Sequence, residues 1–289
     1  MTKLLITCHH LIRHIDKYAP ILNNKGIRFK IAKTDKQQFT ASEIYDLLPG
    51  FDFIIAGDDE INDEAINFSS KSGLKAIIKW GIGVDNIDIE AARKYKVPVF
   101  NTPNVFGGEV AEQAMSFILN LARGTHLIDS NVRKGIWDKR EGSSLHNKKI
   151  GIIGFGSIGQ EIAKRAIAFD MKVLRYDPFY KSKSSNELFK EVSFDMICQD
   201  SDYLVLACAL NKDNRHMIDD TALNKMKSSS FVINVSRGGL INEASLIDAL
   251  SKGIIKGAAL DVFEVEPLSL KSKLHDIPNC IFGSHNSSN

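Results

Sequence analysis

The stretch IGIIGFGSIGQEIA, residues 150–163, constrains the fold more than any other part of the chain. An apolar strand runs into Gly154-x-Gly156-x-x-Gly159 and opens a helix-period segment. A lone glycine pattern of this kind arises by chance, but in a strand–turn–helix context it marks a phosphate-binding turn. The first glycine permits the tight turn, the second lets a pyrophosphate approach the backbone, and the third lets helix and strand pack closely. The helix start, with Ser157 and Ile158, presents N–H groups and a partial positive charge to the phosphates. Asp177 closes the next apolar run, eighteen residues after Gly159. A carboxylate there accepts from ribose hydroxyls and repels a 2′-phosphate, which favours NAD over NADP. Taken alone, Asp177 followed by Pro178 also reads as a turn opener.

The same alternation extends over the whole chain. KLLIT, RFKIA, FDFIIAG, LKAIIKWG and VPVFNT read as strands in the first third, with helical stretches such as Ala41–Leu48 and Ile87–Lys96 between them. From Lys148 the pattern restarts with KKIGIIG, Ser157–Asp170 and KVLRYD, then YLVLACA, FVINVS, KGAALD and NCIFG, with helices at Thr221–Lys227 and Glu243–Ser251. Continuous apolar strands separated by helices predict parallel sheets covered on both faces. The expected fold is therefore α/β, with two doubly wound parallel-sheet domains, at 1–102 and 103–289. Val105–Arg123 carries helix-period apolar positions and reads as a crossing between domains, and the polar stretch Gly124–Asn147 as an arm or a partner contact.

Composition excludes several classes. With 37 Lys and Arg against 35 Asp and Glu, basic residues gather only in small knots such as Lys148-Lys149 and Lys181/Lys183, so nucleic acid is not an expected partner. No apolar run approaches the roughly 18 residues of a membrane span, and the first residues read as a strand rather than a leader. The 4 cysteines show no paired spacing, which fits a reduced, cytoplasmic setting. His9, His10 and His14 follow the first strand, but no carboxylate or cysteine cluster stands at a ligand spacing from them, and no metal site is expected. A substrate contact from His9, His10 or Arg13 is left open. His126, His146, His216 and His275 read as structural or exposed.

Two further stretches carry chemistry: NVSRGGLINEASL, with Arg237, and ALDVFEVEP, with Asp261 and Glu266. Together with the glycine turn, KWGIGVDNID, NTPNVFGGEVAE, RKGIW and His285, they resemble the D-isomer-specific 2-hydroxyacid dehydrogenase family, of the phosphoglycerate dehydrogenase-like kind, over essentially the whole chain. The resemblance implies a flavodoxin-like substrate domain, a Rossmann NAD-binding domain with its interdomain helix and arm at 103–147, and a homodimer. It implies an NAD-linked oxidoreductase that interconverts a D-2-hydroxy acid and its 2-oxo acid, 3-phosphoglycerate or a related acid among the options.

By the same resemblance the N–H groups of Gly81, Ile82 and Gly83 hold the substrate carboxylate, and Arg237 grips the carboxylate and the reacting oxygen. His285 moves the proton, and Glu266 holds the far imidazole nitrogen. Asp261 receives the nicotinamide carboxamide, and Ala207, Cys208 and Ser236 border the cofactor. These roles suit the residue types: an imidazole with a pKa of about 6.5 serves in both directions, and a guanidinium fork matches a carboxylate. Each residue also has a plainer reading: Arg237 as a loop arginine pairing with Glu243, Asp261 as a strand-end cap, and Glu264 and Glu266 as solvated loop charges.

The chain departs from the family pattern at Ser284, where Pro is common, and at Gly107, where a hydroxyl residue is common. Family members continue past His285 with a helix that returns to the first domain. The resemblance thus implies a shortened ending, with an exposed apolar face on the first domain and a histidine free to fray. Two other readings stay open: an NAD-binding regulatory protein of the corepressor type, and an inactive fragment.

Overall fold

The computed structural model describes residues 1–180 and 189–288; the Lys181/Lys183 knot lies outside the described residues. The chain forms two compact units, Met1–Val105 and Phe106–Asn289.

In the first unit, β1 (Thr2–Ile6), α1 (His9–Arg13), α2 (Ile15–Asn24), β2 (Ile27–Ile31), α3 (Ala41–Leu47), β3 (Phe53–Ala56), α4 (Asp63–Lys71), β4 (Ala76–Lys79), α5 (Ile89–Lys94) and β5 (Val99–Phe100) follow in order. The strands form one parallel sheet in the order β2-β1-β3-β4-β5, the flavodoxin-like winding. Leu5, Ile54 and Ile77 are fully buried against Ile44, Ala65 and Ile66 of α3 and α4. Leu4 and Ile6 face the opposite side, with Leu11 of α1. Helix starts are fixed by side chains that accept orphan N–H groups: a Thr40–Glu43 capping box on α3, Asn62 on α4 and Asp88 on α5. Residues 9–24, where the sequence reading places no helix, form α1 and α2. Pro20 inside α2 masks the helical signal, because proline reads as a breaker.

In the second unit come α6 (Gly107–Arg123), α7 (Thr125–Arg133), β6 (Lys149–Ile153), α8 (Ser157–Ala168), β7 (Lys172–Tyr176), β8 (Phe189–Glu191) and α9 (Phe194–Asp200). They are followed by β9 (Tyr203–Leu206), α10 (Asp220–Lys225), β10 (Phe231–Asn234), α11 (Glu243–Ser251), β11 (Gly257–Leu260) and β12 (Cys280–Phe282). Among the described residues seven strands form one parallel sheet, β12-β11-β10-β9-β6-β7-β8, with β6 at the reversal of strand order. Alternate residues of each strand serve opposite cores. Ile150, Ile152, Val205 and Ile233 pack with α6 and α8, and Leu204, Leu206 and Val232 with α9, α10 and α11. That is why these strands read as unbroken apolar runs rather than as alternation.

α6, expected as a crossing, lies wholly in this unit and buries Ala111, Ala114 and Ile118 completely. The stretch expected as a polar arm begins as helix α7, entered through Gly124 in the left-handed region (φ 62°). Trp137, beyond α7, is 82% exposed.

Candidate active site

Both sheets direct their chemistry-bearing residues to carboxyl strand ends, where open α/β sheets bind ligands. In the second unit the glycine turn follows β6. Gly154 takes φ +90°, and a Cβ on it would sit 2.5 Å from the backbone nitrogen of Cys208. A Cβ on Gly159 would sit 2.1 Å from the carbonyl oxygen of Gly154. These two glycines are therefore required by the protein's own packing. Gly156 differs, since nothing lies within 4 Å of the position its Cβ would take. Open space over the second glycine, beside an α8 start with no side-chain cap, is what a pyrophosphate needs. The residues present thus fit a dinucleotide. Gly107 backs this turn, with its Cβ position 2.6 Å from Ser157 Oγ, so the missing hydroxyl residue makes way for close packing.

Asp177 opens the turn that the plainer of its two sequence readings expects. Oδ2 accepts the N–H of Phe155, inside the glycine turn, at 2.7 Å. Oδ1 accepts the N–H groups of Phe179 and Tyr180 at 2.9 and 3.1 Å. The carboxylate therefore opens the Asp-Pro turn and also sits at the dinucleotide cradle. Ala207 and Cys208 follow β9, and Ser236 follows β10, with its hydroxyl donating to the Cys208 carbonyl. Burial pushes the Cys208 thiol up to about 11, so it stays protonated at neutral pH.

Arg237 leaves β10 in extended backbone; its Nη1 donates to the Ser236 carbonyl at 2.9 Å, and its own carbonyl accepts from Asn234 Nδ2 at 2.8 Å. Glu266 and His285, nineteen residues apart, meet directly: His285 Nδ1 lies 2.8 Å from Glu266 Oε2. The other carboxylate oxygen accepts the N–H of Phe263 at 3.0 Å. Both side chains are partly buried, 27% exposed for His285 and 19% for Glu266. An ionised carboxylate only accepts, so in this contact the ring proton is on Nδ1.

Asp261, at the end of β11, is 2% exposed and binds the segment just past His285. Its carboxylate accepts the N–H of Asn286 at 3.1 Å, the N–H of Ser287 at 3.0 Å and the Ser287 hydroxyl at 2.6 Å. Its carbonyl accepts the N–H of His285 at 2.7 Å. The expected freedom of His285 to fray is therefore corrected: Asp261 ties down residues 285–287. Glu264, expected as a solvated loop charge, is exposed and pairs with His216.

In the first unit Gly81, Ile82 and Gly83 follow β4. Gly81 takes φ +145°, and its carbonyl accepts the N–H of Thr102 at 3.0 Å. Asn101 Nδ2 donates to the Ile82 carbonyl at 2.7 Å. The sequence reading missed Lys79 beneath this loop. It is 2% exposed, with Nζ donating to Gly57 O at 2.5 Å and pairing with Asp58 at 2.7 Å. A lysine ending an otherwise apolar strand, in AIIKWG, was the available signal. Asn86 Nδ2 adds a bond to Asp59 O at 2.7 Å, so the loops after β3 and β4 are stitched together. Burial, then nearby Arg13, holds the His10 ring below its ordinary value. Among the described residues, no group of three or more His, Cys, Asp or Glu is arranged to hold a metal ion, and no helix is long and apolar enough to cross a membrane.

Residues 115–287 match the model of the D-isomer specific 2-hydroxyacid dehydrogenase, NAD binding domain. The chain is 39% identical over 217 residues to a hydroxypyruvate reductase of Thermotoga maritima, covering 73% of this chain and 70% of that one. It is 38% identical over 237 residues to a glyoxylate reductase of Thermococcus litoralis, covering 78% and 71%. Among solved structures, a D-lactate dehydrogenase from Aquifex aeolicus, complexed with NAD and lactic acid, superimposes with a TM-score of 0.85 at 25% identity, over 99% of this chain and 89% of that one.

Proposed function

The chain belongs to the D-isomer-specific 2-hydroxyacid dehydrogenase family, with its NAD-binding domain within the second unit, and from that premise we propose how its residues divide the work on a short 2-oxo acid. Glyoxylate and hydroxypyruvate, the acids in the relatives' names, are the first candidates. Bound NADH supplies the hydride for reduction, and NAD accepts it in the reverse direction. The glycine turn, the α8 start and Asp177 hold the dinucleotide, with Ala207, Cys208 and Ser236 along its path.

The N–H groups of Gly81, Ile82 and Gly83 cradle the substrate carboxylate, and Arg237 grips that carboxylate and the reacting oxygen. His285 Nε2 gives a proton to the carbonyl oxygen during reduction and takes one from the hydroxyl during oxidation. Proton transfer of this kind contributes typically about 10²–10⁴-fold. Glu266 fixes the tautomer and stabilises the charged ring. Asp261 serves this chemistry by anchoring residues 285–287.

The observation that carries the reading is the 2.8 Å contact of Glu266 with Nδ1 of a histidine whose backbone is itself pinned. The test is NADH oxidation by the purified chain against glyoxylate, pyruvate, hydroxypyruvate, phosphohydroxypyruvate and 2-oxoglutarate, with product chirality determined where the product has a stereocentre. Turnover giving D-products supports the reading and names the substrate class. NADH binding without turnover on any of the five overturns it.

We also propose that two copies associate through 124–147. Trp137, Ile136 and Val132 are all exposed there, and aromatic residues are enriched at interfaces. A monomer by size-exclusion chromatography would contradict this.

A further inference from the structure

Two histidine–carboxylate pairs grip the same short loop of the second unit, and the proposed chemistry uses only one of them. Glu266 holds His285. Two residues earlier, Glu264 meets Nε2 of His216, across 48 positions of sequence. The pair lies at the surface, with its side chains 33% and 26% exposed.

His216 is itself held in place. Its backbone is left-handed (φ 55°), and its N–H donates to Gly239 O at 2.8 Å. Ile218 continues the contact, donating to Leu240 O at 3.0 Å and bridging to Ile241 in parallel. Residues 216–218 therefore run along 239–241, in the turn that directly follows Arg237. The other side of that turn meets the loop, because a Cβ on Gly238 would fall 1.9 Å from Phe263 C and 2.5 Å from Glu264 N. Glycine at 238 lets the two backbones touch, and the His216–Glu264 pair closes a ring of contacts around that point. The loop's next step is Phe263 N–H to Glu266 Oε1, so a shift of 263–264 carries Glu266 with it.

The charged groups facing this ring are Arg215 (Nη1 3.0 Å from the Gly239 Cβ position), Arg237, Glu243, Asp261 and the Glu266–His285 pair. The Glu243 carboxyl is held above its ordinary value by burial, against a backbone hydrogen bond from Glu264 that lowers it.

We infer that His216 and Glu264 are positioning residues for the acid/base pair: they clamp 263–266 onto the turn after Arg237 and so set how Glu266 holds His285. This inference rests on the proposed roles of those two residues. Loss of the clamp would loosen the Glu266–His285 contact, so fewer rings would stay protonated as pH rises. It would leave the dinucleotide cradle, built from other elements, intact.

The experiment measures kcat/KM for glyoxylate reduction against pH in His216→Ala, Glu264→Ala, His216→Gln and His285→Ala, alongside NADH affinity and thermal midpoint. In the two clamp variants kcat is expected to fall about tenfold, and the alkaline limb to move about half a pH unit lower. NADH affinity stays at the wild-type value. His216→Gln, whose amide still donates to Glu264, recovers most of the rate. A wild-type rate and limb in both clamp variants, with His285→Ala inactive, overturns the clamp alone. So does a fall in kcat that matches only the loss of folded protein, with the limb unmoved. Turnover in His285→Ala removes the reading on which the clamp rests.

Discussion

Nδ1 of His285 lies 2.8 Å from Oε2 of Glu266, and Oε1 of the same carboxylate accepts the N–H of Phe263 at 3.0 Å. One side chain thus fixes the ring's tautomer and ties it to its own loop. Glu266→Gln keeps a hydrogen-bonding group but removes the charge that favours the protonated imidazole. We expect kcat for 2-oxo acid reduction to fall about 10–100-fold, with the alkaline limb of kcat/KM moved to lower pH. A pH–rate profile checks both; an unchanged limb would show that the ring does not respond to Glu266.

The three motif glycines should respond differently. Gly156 faces open space, so Gly156→Val should fold with a wild-type thermal midpoint and bind NADH at least about 10²-fold more weakly. Gly159→Ala puts a methyl 2.1 Å from Gly154 O, so it should lower the midpoint as well as the affinity. Thermal unfolding and NADH fluorescence titration, run together, separate the two effects.

Asp261 is buried and accepts three donors from residues 286–287. Asp261→Ala leaves those donors unmatched and should destabilise the second unit by about 2–3 kcal/mol. It should also lower kcat more than Ser287→Ala does, because the latter removes a hydroxyl bond and leaves both backbone N–H bonds. Denaturant midpoints and steady-state rates on the two variants check the order.

Acidification should weaken the fold. Burial holds the His126 ring below the ordinary imidazole value, and His10 is shifted in the same direction by the same cause. The unfolded chain therefore takes up protons at these positions near pH 6.5 while the folded chain still resists them. Their contribution is complete above about pH 6.5 and declines as pH falls toward the lower folded values. Urea unfolding from about pH 8 to about pH 5 should show this loss, and His126→Gln should flatten it.

Much of this architecture is written locally. The run KKIGIIG and the glycines behind it specify strand, turn and helix through spacing and conformational freedom, which are properties of adjacent residues. Glu266 before Pro267 and His285 after NCIFG stand out only through the resemblance to the dehydrogenase family, not through spacing alone. The partnerships that hold the site depend on tertiary contact, and no spacing announces them. Lys79 reaches Gly57 and Asp58 only because β3 and β4 are neighbours. Glu264 finds His216 only because 216–218 lie along 239–241. The bonds from Asp261 to the backbone beyond His285 depend on the β11–β12 pairing, which local sequence does not announce. Helix α2 was hidden for a different reason, because Pro20 argued locally against what the packing allows.

The most direct test of the account is the NADH-dependent turnover of His285→Ala beside wild type, with NADH affinity measured on both. Expected is a fall of at least about 10²-fold in kcat on the best 2-oxo acid, with NADH bound as tightly as in wild type. Turnover within a few-fold of wild type would contradict it and would place the proton-transfer group elsewhere in the chain.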